Sequence, residues 1–275
     1  HLFAALGCVL VASGYLFRAY PLAMAACIGI GNGLYHVGSG RQVLQDAPHR
    51  YAPCGIFIAF GALGLYIGRK LGMAYLPLSG LFVTLLVVAA ALLLLLGRTA
   101  AHAAPMKADL QGKKLLLGVA LLCIVVVIRS YYGTILQYDW NRGPIIPLLF
   151  TLCIVGGKAL GGVFADWIGL KKTILCSMAL AAVFAVFSFR CALFGCVSIF
   201  FFNMTMPLTL SRITAHLRPA PGFAFGFLMF CLFIGILPTL VFGIRFALSP
   251  VGLAMLCLLS MALLYADERL GGQAR

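Results

Sequence analysis

The sequence predicts an all-α polytopic membrane protein, and three observations carry that prediction. Of its 275 residues 63% are hydrophobic and only 9% charged, with a mean hydropathy of +1.09, whereas a soluble domain is about 25% charged. The apolar residues fall into long runs, and about 20 of them suffice for one helical crossing of a bilayer. The basic residues sit between the runs rather than in a stripe with interleaved aromatics. The net charge of +14 therefore points to a membrane surface and not to nucleic acid.

Charged, Pro and Gly punctuation divides the chain into ten expected spans. The first, 2–17, stops at Arg18, and the second, 21–45, opens on Pro21 and stops at Asp46. Arg50 and the Arg69-Lys70 pair bracket 51–68, and 73–97 runs up to Arg98. Lys113-Lys114 and Asp139 bracket 115–138; Arg142 and Asp166 bracket 144–165. Lys171-Lys172 precedes 173–189, Arg190 separates it from 191–211, Arg245 closes 222–244, and Asp267 closes 249–266. Lipid offers the backbone no hydrogen bonds and no run alternates like a barrel strand, so each span is expected to be a helix.

Charge sidedness orients them. Of the 20 Lys and Arg, one face holds twelve (Arg41, Arg50, Arg98, Lys107, Lys113, Lys114, Lys171, Lys172, Arg212, Arg218, Arg269 and Arg275) and the other six. Arg129 and Lys158 fall inside spans. The richer face is expected to be cytoplasmic, with both chain ends there. The polar stretch 98–114 reads as a cytoplasmic linker between a four-helix segment, 1–97, and a six-helix bundle, 115–275. Transporters are commonly built from repeated bundles, so two helices are expected to be missing before residue 1, which is His. The ten cysteines show no CxxC or Cys/His ligand spacing and read as small apolar fillers. Neither metal nor cofactor is expected.

After the second span of the six-span segment comes Gly162-Val-Phe-Ala-Asp166-Trp-Ile-Gly169-Leu-Lys171-Lys172. Gly162 permits a close helix approach, Asp166 offers a carboxylate to a helix N-terminus, Gly169 allows a tight reversal, and the lysines stay in water. This loop resembles the G-x-x-x-D-x-x-G signature of the major facilitator superfamily, although Trp167 and Leu170 stand where that family often has basic residues. The resemblance implies a two-bundle secondary transporter working by alternating access, with Asp166 in a conformational latch. The glycines of Gly55 to Gly68 are similar to the fifth helix of facilitator antiporters but lack its proline. Arg129-Ser-Tyr-Tyr-Gly133 and Met206-Pro-Leu-Thr faintly resemble bacterial drug-efflux members related to fosmidomycin resistance. A bacterial inner-membrane location follows from these resemblances.

Polar side chains deep in lipid are functional candidates by default. At about 1.5 Å per residue, Arg129, Asn32, Asn203, Lys158 and His36 lie roughly 15 to 22 Å from the outer boundary of their spans, which suits a central cavity. Asn32, His36 and Ser39 share one helix face and serve equally as solute contacts or interhelical bonds. His36 suits a coupling proton, or a neutral buried role; a counter-substrate is the other coupling candidate. Thr205, Thr209 and Arg212 form a face expected to be structural. All six acids are placed in loops or at span ends, so none is left to neutralise Arg129 or Lys158. An anionic small-molecule substrate follows from that, with a planar guanidinium suited to bidentate contact. The alternative keeps Arg129 satisfied by an acid beyond residue 1, by carbonyls, or by Tyr131 or Tyr132. Two alternatives remain: an intramembrane enzyme would need a nucleophile and base, but His36 and Ser39 share a helix and Val37 breaks a GxSG pattern, and a non-transporting membrane scaffold would gain nothing from midplane cations.

Overall fold

The computed structural model describes residues 1–47, 50–97, 112–217, 220–243 and 249–272. The linker up to residue 111, with Arg98, Lys107 and Asp109, lies outside the described residues, as do Arg218, Arg245 and Arg275. Helix α1 (Leu2–Gly14) continues into a 3-10 turn (Tyr15–Phe17). Then come α2 (Pro21–Asp46), α3 (Ala52–Met73), α4 (Ser79–Gly97), α5 (Gly112–Ile135) and α6 (Ile146–Ile168). The rest are α7 (Leu170–Phe187), α8 (Ala192–Asn203), α9 (Thr205–His216), α10 (Pro221–Phe242) and α11 (Pro250–Gly272).

Eight segments are long and apolar enough to cross a membrane: α3 to α7, α8 with α9 as one, α10 and α11. The segment Leu2–Phe17 is apolar but shorter, and α2 is 26 residues long with a more polar sequence. Counting these two, the described residues make ten helical passes, and the protein is an integral membrane protein. Its surface is apolar: Leu65 is 77% exposed, Val183 57% and Leu92 51%. Water would oppose such an exterior, and lipid favours it.

Proline punctuates the starts. It occupies the first or second position of α2, α3, α6 and α10, where the missing N–H has no helical partner to lose. Inside the eighth pass the same residue breaks the helix. Pro207 has no N–H to donate to the carbonyl of Asn203 one turn earlier, and the chain is interrupted at Met204 between α8 and α9. That pass was expected to be one span ending at 211; it is two helices reaching His216.

Other boundaries move for local reasons. Helix α7 begins at Leu170 after the single residue Gly169, so Lys171 and Lys172 open a helix rather than lie in a loop. Helix α5 begins at Gly112, taking in residues expected to belong to the linker. Helix α11 runs to Gly272, which overturns the placement of Asp267 beyond a span end. Its carboxylate has buried partners on α9.

Helix α1 packs on α2 and α4, while α3 packs chiefly on α6 and α2 also on α10, so these pairs join the first four helices to the rest. The largest core gathers Leu122, Val125, Leu208, Ile213, Phe225 and Leu264 from α5, α9, α10 and α11. Because the passes alternate, α3 begins, α6 ends and α11 ends at one membrane face, here called the Asp166 face.

Candidate solute site and interhelical latch

Arg129 sits in the fifth turn of α5 and is buried, 7% exposed. Its Nη2 donates a short hydrogen bond to Thr205 Oγ1, the first residue of α9 after the break. Thr205 in turn donates to the Phe202 carbonyl at 3.1 Å, tying Arg129 to the interrupted backbone. The guanidinium lies 5.0 Å from the centroid of the Phe202 ring, which stacks on Tyr132 at 4.6 Å. Nε and Nη1 are buried without a hydrogen-bond partner, a costly state for a cation. A cavity of about 20 Å³ opens beside it, lined by Val126, Met206, Thr209, Leu228, Met229 and Leu232. That is room for about one water, not for a solute.

Lys158 is half-buried on α6. Among the described residues no carboxylate lies within 4.0 Å of either cation. Asn203 is buried at the end of α8 and donates to the Ile199 carbonyl of its own helix at 2.8 Å. The structure therefore places Arg129 at the break between α8 and α9, with the Asn203 amide turned to its own helix.

The polar face of α2 is placed differently. Asn32 is exposed. The His36 ring stacks on Phe225 of α10 at 5.8 Å and meets Phe57 of α3 edge-on at 6.0 Å, with Nδ1 buried and unpartnered. His36 thus sits in an aromatic contact between the first four helices and α10.

At the Asp166 face, Asp166 of α6 reaches the start of α3. Its Oδ1 accepts from the Tyr51 N–H at 2.7 Å and its Oδ2 from the Ala52 N–H at 3.0 Å. Such charge-assisted capping of a helix N-terminus is worth about 1 to 2 kcal/mol. One turn earlier, a Cβ on Gly162 would stand 2.4 Å from the Tyr51 carbonyl oxygen, so only glycine lets α6 approach that closely. Gly169 has φ +92°, a conformation that favours glycine, and this lets α7 start at once. Lys171 and Lys172 then emerge into the exposed first turn of α7.

The burial of Asp267 and its contact with His216 escaped the sequence reading. Asp267, 1% exposed, accepts from Arg212 Nε at 2.7 Å and contacts His216 Nε2 at 2.5 Å. Arg212 and His216 are one turn apart on α9, and that i, i+4 pairing of two bases was the available signal. It pointed to a buried acid, which the shortened tenth span had placed outside.

Ten helical passes, a join through α3–α6 and α2–α10, and a buried arginine on α5 invite comparison with solved transporters. The structure of a major facilitator superfamily transporter, FucP, in the outward conformation superposes with a TM-score of 0.65 at 15% identity, over 98% of this chain and 80% of that one. A structure of the E. coli fucose:proton symporter FucP, in a substituted form, gives 0.65 at 14% identity over 98% and 81%. This is the major facilitator fold. No protein-family model and no curated protein matches the chain. At these identities the major facilitator likeness is one of fold, and the resemblance to fosmidomycin-resistance members gains no support from it.

Proposed function

We propose that the chain is a secondary active transporter that moves a small anionic solute by alternating access, with Arg129 and Lys158 as its charge contacts. One observation carries the reading: two guanidinium nitrogens of buried Arg129 have no partner, and among the described residues no carboxylate lies within 4.0 Å of it. An anion arriving from water would satisfy both nitrogens and offset the cost of the buried charge. The major facilitator fold supports transport rather than a scaffold or an enzyme. The neighbour described as a fucose:proton symporter supports proton coupling, for which His36, at the contact between the two sets of helices, is the candidate group. Asn32 and Asn203 are proposed as secondary contacts, Asn203 after releasing its bond to Ile199. We further propose that the Asp166 face is cytoplasmic and that the membrane is the bacterial inner membrane.

In this reading the 20 Å³ cavity is a closed site. The Asp166 contact to α3 latches one face, and the solute enters when the helices part. Efflux by antiport is the direction that the Gly-rich α3 favours. The test is counterflow of small carboxylates and phosphonates in proteoliposomes. Arg129→Gln abolishes accumulation of an anion that the parent transports, and Arg129→Lys retains part of it. Unchanged anion transport in Arg129→Gln, or a parent that prefers organic cations, overturns the proposal.

A further inference from the structure

Lys171 in the first turn of α7 and Arg269 near the end of α11 converge on one tyrosine. Lys171 Nζ lies 5.1 Å from the Tyr265 ring centroid and Arg269 Cζ 4.8 Å, with Arg269 Nη2 donating to the Tyr265 hydroxyl at 2.8 Å. Lys172 stands exposed beside them, and the exposed Lys113 and Lys114 open α5, which packs on α11, at the same face. Among the described residues no carboxylate lies within 4.0 Å of any of these cations. Two like charges held at one ring repel each other, and an exposed cation–π contact offsets only about 0.5 to 1 kcal/mol. Glu268, next to Arg269 on α11, is beyond 4.0 Å of these cations, so among the described residues the cluster has no ion-pair partner.

The surface below it says which kind. Along α7 the outward residues after Lys172 are Cys176, Leu180, Val183 and Phe187, all exposed. Along α11 the residues leading to Tyr265 include Val251, Met255 and Leu258, at 62%, 59% and 39% exposure. A cationic notch therefore caps two adjacent apolar helix faces that in a bilayer face acyl chains. Tyrosine favours headgroup depth, and basic pockets between membrane helices suit phosphate headgroups. A soluble anion would use the notch but leave the apolar faces without a role.

We propose that Lys171, Tyr265 and Arg269, with Lys172 at the edge, bind the phosphate headgroup of an anionic membrane lipid whose chains lie along α7 and α11. The protein in detergent is titrated with phosphatidylglycerol or phosphatidylcholine and bound lipid is counted by native mass spectrometry. The parent retains phosphatidylglycerol preferentially. The double variant Lys171→Gln/Arg269→Gln weakens retention about thirtyfold, each cation near an anionic headgroup being worth about fivefold. The charge-conserving Lys171→Arg/Arg269→Lys keeps it. Arg69→Gln/Lys70→Gln, the same charge change at the far end of α3, leaves it within about twofold. Tyr265→Leu, which removes only the ring that holds the two cations, gives an intermediate loss and serves if the double variant does not fold. Equal loss in both glutamine doubles, no preference in the parent, or displacement of the lipid by millimolar inorganic phosphate overturns the proposal.

Discussion

Removing the Asp166 carboxylate should loosen the start of α3, and the structure sets the size of the effect. Asp166→Ala deletes both acceptors, at 2.7 and 3.0 Å, from the Tyr51 and Ala52 N–H groups. Loss of a helix-capping side chain costs about 1 kcal/mol and up to 2, and loss of a negative charge from a helix N-terminus adds about 0.3 to 1. Asp166 is exposed, so water replaces part of what is lost and the total stays near 2 kcal/mol. That is roughly a thirtyfold rise in the population of the parted state. Hydrogen exchange of a peptide spanning residues 50–57 reads it directly: amide exchange there accelerates about thirtyfold in Asp166→Ala and several-fold in Asp166→Asn, which keeps one acceptor. Asp139→Ala serves as a control, since its side chain is fully exposed and its 3.3 Å pair with Arg142 is local. If exchange at the start of α3 changes less than twofold in Asp166→Ala, the carboxylate does not hold the seam and the latch reading fails.

The same exchange assay should show a larger effect for Gly162→Leu, because its Cβ would meet the Tyr51 carbonyl at 2.4 Å and force α3 from α6. Asp267→Asn leaves Arg212 buried without its counter-charge, 10% exposed at the side chain, and should destabilise the protein by roughly 3 to 5 kcal/mol, read as an earlier thermal unfolding transition in detergent. Replacing both partners by leucine should recover most of that loss; no recovery would show that His216, and not Arg212, dominates the pair. Thr205→Val removes the hydroxyl that Arg129 Nη2 reaches and should change the affinity for a transported anion several-fold, measured by counterflow, with the helical content unchanged by circular dichroism.

The sequence by itself determined the membrane character, the helical class and the number of passes, because bilayer thickness and backbone hydrogen bonding leave a long apolar run little choice but a helix. It also made Gly162, Asp166 and Gly169 legible as a group, since each demand is local: a small side chain, a carboxylate one turn later, and a residue free to adopt positive φ. Arg129 and Lys158 stood out for the same reason, being cations where lipid penalises charge. What the sequence left open was which helix each group meets. That α3 receives Asp166, that Thr205 receives Arg129, and that His36 packs between Phe57 and Phe225 depend on contacts between residues far apart in the chain. Asp267 shows the limit most clearly. Read locally it ends an apolar run; only the placement of α9 beside α11 gives it Arg212 and His216, and those partners are what allow a carboxylate to be buried within a helix that continues past it.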